Sequence, residues 1–385
     1  MTEQQPQVAT ADSTYARLLS EVFQFGEVRG DRTGTGTRSI FGGSARFDCA
    51  NTVPLLSLKQ VYLRSCVAEL VWFLIGSDNA NLLNQLRSKI WDEWKLEKDH
   101  TIGRRLSITE QQALLSGQLN TTLEQVQRMC HAEDNKHPQG YPEGTLKLLA
   151  KYNIREFEEQ VAHPAGYCGP MYGVQWNSVP KGFMMSKMDI LLQGLKLRPF
   201  ARDHMLMAWN DDVRPIYDNP MFGETNDEKI ENNLKASRQP IPPCHFACQF
   251  YTHASPVTGE PSRLSLQFHM RSADMFLGVP FNILSYGILL HLVATHLGLE
   301  ADSVSVTFGD RHIYSNHIEQ TQELLSRTPH ETRPTFKLSA DVPDIRSIMN
   351  IPHDRVDLLN QVIDDIVACV EGYKHLGAIR APVSK

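Results

Sequence analysis

Residues 281–296, FNILSYGILLHLVATH, constrain this chain more than any other stretch, because they carry apolar side chains on nearly every face of a helix. A helix that is apolar all round has to be covered all round, so the rest of the chain must supply layers on several sides of it. The run is interrupted by Asn282, Ser285, Tyr286 and His291 and is too short to cross a bilayer, so the expected cover is protein. Just before it, residues 263–270 alternate, with Leu264, Leu266, Phe268 and Met270 facing one way. That period of two marks a half-buried strand. Residues 304–308 read as another strand, and 356–370 as an amphipathic helix. Strands and helices are mixed without regular βαβ alternation, which places the chain in the α+β class.

Elsewhere the pattern is uneven. Residues 1–11 carry no periodicity and are expected to be a disordered tail. Asp12 or Ser13 can cap a helix bearing Leu18, Leu19, Val22 and Phe23. A Gly-rich loop, GDRTGTGTRS, follows at 30–39, and Ile40, Phe41 and Phe47 suggest a strand or hairpin. Residues 60–75 repeat apolar positions at three and four and predict a helix. Residues 95–165 are rich in charge and Gln, with helical patches at Leu114, Leu115 and Leu119, and read as an inserted, mostly helical subdomain. Two strand-like runs, 204–209 and 245–251, flank a polar stretch expected to be a long surface loop.

Charge and cysteine usage narrow the setting. The net charge of −6 implies no broad nucleic-acid surface, so any phosphate must be met by a few placed arginines. Seven cysteines, an odd number without paired spacing, suit a reducing compartment rather than a disulfide framework. The polar N-terminus lacks an apolar signal core, and the expected location is the cytoplasm.

Several residues can carry chemistry, each with a plainer reading beside it. Cys244 follows Pro242 and Pro243, which stiffen the backbone before a strand; alone, it is most simply a buried core cysteine. Cys244 and His245 alternate across a strand and do not form a protease dyad. CHFAC lacks a second ligand pair, so no metal site is implied. Arg271 can hold a phosphate or lower a thiol's pKa, or form a surface ion pair. Arg32 opens a run of small residues that can fold over an anion, or lie in an ordinary turn. Asn282 is a buried amide that must satisfy its donors and acceptor, through backbone or a uracil edge. Glu69 lies within CVAELVWFL, as a proton relay of raised pKa or as the partner of an arginine such as Arg64. Trp91 and Trp94 serve as core or as a platform for a flat ring. His312 and Tyr314 share one strand face and suit a sugar hydroxyl.

Order and wording, more than any single residue, carry the reading. The blocks DRTGTGTRSIFG (31–42), PLLSLKQVYLRS (54–65), ELVWFLIGSDN (69–79), IWDEW (90–94), GPMYGVQW (169–176), AWN (208–210), PPCH with QFY (242–251), RSADMFLGVPFNILSY (271–286), GDRHIYSNHIEQ (309–320) and APV (381–383) resemble the thymidylate synthase family, relatives of which include the deoxypyrimidine hydroxymethylases. They cover roughly half the chain in family order. The resemblance implies a thymidylate-synthase-like α+β fold, with a mixed twisted sheet packed with helices around a long buried helix. It also implies one catalytic domain over 12–385, with insertions at about 95–165 and 211–241.

The resemblance implies roles residue by residue. Cys244 matches the nucleophile. Arg32, Arg202, Arg271 and Ser272 match the phosphate site, with Arg202 acting on the partner's site in a homodimer. Asn282 matches the uracil-reading amide, Asp274 a residue shared by both ligands, and His312 and Tyr314 the deoxyribose contacts. Lys59, Ile90, Trp91, Trp94, Leu277, Gly278 and Phe281 match the folate site, with Val383 and Ser384 in the closing tail. Glu69 and Tyr172 match the proton-relay region. The implied substrates are dUMP and 5,10-methylenetetrahydrofolate, with no metal, membrane or nucleic acid. Addition of a thiolate at C6 makes C5 of uracil electron-rich. Hydride from the folate then leads to dTMP, whereas water leads to hydroxymethyl-dUMP.

The chain departs from the thymidylate synthase pattern at four places. Asp203 stands where a second phosphate arginine is expected. His269-Met270 replaces Tyr-Gln, and Met270 before Arg271-Ser272 is a hydroxymethylase-like feature. Asn177 replaces an arginine, and the approach to the nucleophile is replaced by residues 211–241. The tail Ala381-Pro382-Val383 is retained, which favours a closed, dry site and a methyl product. Asn282 in place of an aspartate favours uracil over cytosine. A catalytically weak, nucleotide-binding member of the family is the reading that Asp203 supports.

Overall fold

The computed structural model describes residues 10–105, 107–136, 143–152, 154 and 157–384, so most of the expected tail 1–11 lies outside the described residues. The strands are β1 (Glu27–Arg29), β2 (Thr37–Phe41), β3 (Ser44–Asp48), β4 (His100–Arg105), β5 (Phe157–His163), β6 (Met205–Met207), β7 (His245–Ala254), β8 (Pro261–Asp274), β9 (Glu300–Tyr314), β10 (Thr335–Phe336) and β11 (Val370–Glu371). The helices are α1 (Ala11–Phe25), α2 (Leu63–Leu74), α3 (Ala80–Gln85), α4 (Ile108–Gln118), α5 (Leu123–Asp134), α6 (Glu143–Lys151), α7 (Tyr172–Asn177), α8 (Lys187–Leu197), α9 (Asn226–Lys235), α10 (Gly278–Leu297), α11 (Ile318–Leu325), α12 (Ile345–Met349) and α13 (Val356–Ala368). They fall into two compact units, one running to Lys95, over Gly166–Leu234 and from Arg238, the other comprising Leu96–Ala165 and Lys235–Ser237.

The first unit is α+β. Its seven-stranded sheet has the order β1-β2-β9-β8-β7-β6, with β3 also paired to β9. The sheet is mixed, because β8 and β9 run parallel while their neighbours are antiparallel. The apolar run is α10, the crossover between those two parallel strands. It buries residues on every face, from Val279 and Pro280 to Val293 and Ala294. Pro280 is tolerated because the first turn's N–H groups have no intrahelical partner. Gly298, at φ 69°, ends the helix in the left-handed conformation. Among the described residues α10 is the helix long and apolar enough to cross a membrane, and 78% of that window is buried in the protein. The alternation of 263–270 is seen directly, with Leu264, Leu266, Phe268 and Met270 buried along β8.

Two local expectations are corrected. Thr10, rather than Asp12 or Ser13, caps α1, its hydroxyl accepting the Ser13 N–H. Asp12 is instead buried and accepts the N–H groups of Ser57 and Leu58, which a loop over the core cannot leave unpaired. The polar stretch before β7 is not a plain surface loop, because it contains α9. Its composition, NDEKIENNLK, hides a buried face of Ile230, Asn233 and Leu234. The Asn233 amide brackets Ile216, accepting its N–H at 2.8 Å and donating to its carbonyl at 3.0 Å.

The second unit pairs β4 with β5 antiparallel and packs α4, α5 and α6 around Leu115, Val126, Cys130 and Leu149. Ser107 with Glu110, and Thr122 with Gln125, form capping boxes at the starts of α4 and α5.

Candidate active site

The sheet register gathers the polar candidates. In the parallel β8–β9 pair, Ser272 lies opposite Asp310 and Asp274 opposite His312. The Arg271 N–H donates to the Cys244 carbonyl at 2.9 Å, which joins the start of β7 to the end of β8. The site therefore forms where β8 and β9 end and α10 begins, a position at strand C-termini that suits ligands.

Cys244 is half-buried. Its N–H donates to the Tyr172 hydroxyl at 2.8 Å. The Arg271 Nε donates to the Pro243 carbonyl at 3.0 Å and an Nη to that of Pro242 at 2.6 Å. Two of the five guanidinium donors thus fix the prolines before the thiol, and three are left for an anion. Burial pushes the Cys244 thiol up; Arg271 and Arg32 pull it down and Asp274 pushes it up, with a net rise. Proximity to Arg271 was expected to favour the thiolate, and its pull is present, but desolvation outweighs it.

Asp274 accepts the N–H groups of Phe276 and Leu277 at 2.9 and 3.0 Å, which sets the turn into α10. Asn282 is half-buried on the next turn, and its carbonyl oxygen stands 3.5 Å from where a side chain on Gly278 would begin. His312 is buried and hydrogen-bonded through Nδ1 to Asp310 at 3.1 Å. Burial opposes its charge, but Asp310 and Asp274 raise its pKa overall. Tyr314 meets the His312 ring edge-on at 5.0 Å. Ser272 is half-buried.

A second wall is aromatic. Trp91 Nε1 donates to Glu69 at 2.7 Å. Burial pushes the Glu69 carboxyl up to about 7, against the Trp91 hydrogen bond that lowers it. Arg64 does not neutralise Glu69, because it is bound to Asp364, Asn360 and the Leu86 carbonyl. Tyr172 packs edge-on to Trp91 at 6.1 Å and stacks on His245 at 4.0 Å, so it touches both walls. Trp94 lies 5.8 Å from Trp91, and its buried indole N–H has no hydrogen-bond partner among the described residues. Ile90, Leu277 and Phe281 pack as partly buried groups on the same core. Lys59 is buried, donates to the Phe276 carbonyl and sits over that ring at 4.0 Å; burial lowers its pKa to about 8, against the pull of Asp274. Beyond it, His317 shares a hydrogen bond with the Pro382 carbonyl at 2.7 Å, and Ser384 bonds Asn316. Val383 is exposed.

The phosphate candidates are spread more widely. Arg32 is on an exposed loop that Asp31 shapes by accepting the N–H groups of Thr33 and Gly36. Arg202 is exposed and makes no ion pair among the described residues. Its neighbour Asp203 is paired with Arg198 at 3.0 Å. Asn177 donates to the carbonyls of Phe73, Leu74 and Gly173, so this departure caps the C-terminal end of α2.

Three residues of the site were given no role in it from the sequence. Asp310 was accessible, since it shares the face of His312 and Tyr314 at a spacing of two. His245 was set aside as a protease base, but it is buried, bonded to Tyr286 at 3.0 Å, and held neutral with its pKa lowered to about 3. His317 lies within the block 309–320 but was given no role there, because its partner, the Pro382 carbonyl, is far along the chain.

The family described as thymidylate synthase matches residues 13–385. Both the match and the arrangement around Cys244 agree with the motif order, and the chain belongs to the thymidylate synthase family, whose members are enzymes of one-carbon transfer to dUMP.

Proposed function

We propose that this protein forms dTMP and dihydrofolate from dUMP and 5,10-methylenetetrahydrofolate through a covalent adduct at Cys244. The observation that carries the methyl product is the held C-terminal tail. The Pro382 carbonyl is bonded to buried His317, whose ring lies 5.5 Å from Phe276 and 5.6 Å from Tyr314. A tail fastened beside those groups favours water exclusion, which a methyl product needs.

The aromatic wall fits a folate. The unpartnered Trp94 N–H calls for an acceptor, Trp91 and Trp94 offer ring faces, and Lys59, Leu277, Gly278, Phe281, Ile90 and the tail residues Val383 and Ser384 complete the set. The folate supplies the one-carbon unit and, for dTMP, the hydride. Cys244 attacks C6 of the pyrimidine. Arg271 holds Pro242 and Pro243 so that the sulfur is fixed, and its remaining donors, with Arg32 and Ser272, take the phosphate. Asn282 reads the uracil edge and stabilises charge at O4. Asp310 orients His312, which with Tyr314 meets the sugar. Glu69, poised near 7, can both accept and give a proton at neutral pH. Tyr172 holds the nucleophile's backbone. Arg202, free of ion pairs among the described residues, suits the phosphate site of a second copy in a homodimer.

Met270 favours a second reading, hydroxymethylation. It is buried on β8 and offers no strong hydrogen bond where the family pattern has an amide. The test is mass spectrometry of the product after incubation with dUMP and methylenetetrahydrofolate. A methyl nucleotide with dihydrofolate supports the proposal; a product carrying one more oxygen, with tetrahydrofolate, overturns it in favour of hydroxymethylation. Tight dUMP binding without tritium release from C5-labelled dUMP would instead mark a catalytically weak member.

A further inference from the structure

The segment between β6 and β7 reaches the anion site with an aromatic side chain that no role above uses. The Arg32 guanidinium lies over the Tyr217 ring, 5.4 Å from its centroid. The Tyr217 hydroxyl donates to the Pro240 carbonyl at 3.0 Å, two residues before the prolines that Arg271 holds. At the other end of the same arginine, Asn226 Nδ2 donates to the Arg32 carbonyl at 2.8 Å. Arg32 itself is exposed, in a loop with Gly34 and Gly36 at positive φ, and its guanidinium makes no ion pair among the described residues.

A long side chain on such a loop samples many rotamers, and binding a phosphate would have to still it. A ring beneath the guanidinium and an amide on the backbone restrict that freedom in advance. We propose that Tyr217 and Asn226 are positioning residues for Arg32, so that residues 211–241 set the affinity for the nucleotide phosphate. This rests on the reading of Arg32 as a phosphate ligand. Burial pushes the Tyr217 phenol up to about 12, while Arg32 and Arg271 draw it down, so it stays neutral at physiological pH and does not repel an anion. The role is one of affinity and not of chemistry, because Tyr217 holds a binding group and not the reacting atoms.

The experiment is a double-mutant cycle on the full chain, reading dUMP Kd by calorimetry and kcat and KM by turnover. Tyr217→Leu should weaken dUMP roughly three- to tenfold through KM, with kcat nearly unchanged. Tyr217→Phe, which keeps the ring, should stay near wild type. Asn226→Ala should weaken dUMP by about two- to threefold, and neither loss should add to that of Arg32→Ala. Additive losses, or a Phe variant as impaired as the Leu variant, overturn the proposal. If Arg32→Ala binds dUMP normally, the phosphate reading fails and the proposal with it. If Arg32→Ala is weak while Tyr217→Leu and Asn226→Ala are normal, only the proposal fails. Should Tyr217→Leu not fold, the Asn226→Ala arm of the cycle decides.

Discussion

The two sides of the candidate site are built by opposite means. Around Cys244 the sheet gathers charges that each have a polar partner: Asp310 bonds His312, Arg271 the carbonyls of Pro242 and Pro243, and Asp274 the N–H groups of Phe276 and Leu277. Around Glu69 no countercharge lies among the described residues, only Trp91 and packed rings, and the carboxyl rises to about 7. Low dielectric thus has different consequences on the two sides. It strengthens paired charges on one, and on the other it shifts a lone acid into the range where it can exchange a proton.

Variants can break or sharpen this contrast. The largest effect is expected for Cys244→Ser, which should abolish turnover while dUMP binding remains measurable by calorimetry; near-normal turnover would remove Cys244 as the nucleophile. Glu69→Gln should lower kcat by roughly 10²-fold and also change stability. The folded Glu69 pKa of about 7 exceeds its ordinary 4.5. The folded protein therefore binds the extra proton between those values, and its contribution is present below pH 4.5 and lost as pH rises to about 7. The loss is on the order of 3 kcal/mol. Thermal melts of wild type should fall over that window, and those of Glu69→Gln should be flatter. Equal slopes would show that Glu69 is not the shifted group.

Tyr172→Phe joins the two walls in one test. It strips the acceptor from the Cys244 N–H and should cost about 1–3 kcal/mol in denaturant melts, with kcat reduced. An unchanged midpoint and rate would mean that this hydrogen bond is dispensable. Asn282→Asp should move preference from dUMP toward dCMP, on the order of tenfold in kcat/KM, and unaltered preference would count against Asn282 as the base reader. The smallest change is expected for Asp203→Asn. Asp203 is exposed and already paired with Arg198, so dUMP affinity should improve by less than about threefold and only at low salt. A larger gain would mean that Asp203 repels the phosphate directly.

Legibility in the sequence followed burial. The apolar helix α10 and the alternating β8 were plain because a period or a composition that must be covered leaves few alternatives. α9 was missed because a polar strip whose inward face holds just two apolar side chains, Ile230 and Leu234, beside Asn233 resembles a solvated loop. The N-cap of α1 was misplaced because Asp12, a good cap by type, is drawn away to the backbone of Ser57 and Leu58. Within the site, motif wording singled out Cys244, Arg271, Asp274 and Asn282, whereas Tyr217 lies in no motif and meets Arg32 from far along the chain.

The sequence by itself determined that a helix apolar on all sides must be wrapped, that strands of period two flank it, and that an ordered series of motifs belongs to one family of enzymes. Only the tertiary structure decided which charges meet. The parallel register sets Asp274 beside His312, desolvation outweighs Arg271 at the thiol, and Arg64 turns to Asp364 and leaves Glu69 to the neutral Trp91 N–H. Periodicity depends on near neighbours in the chain, but a pKa depends on every group that folding brings within a few ångströms, and that set is not written locally.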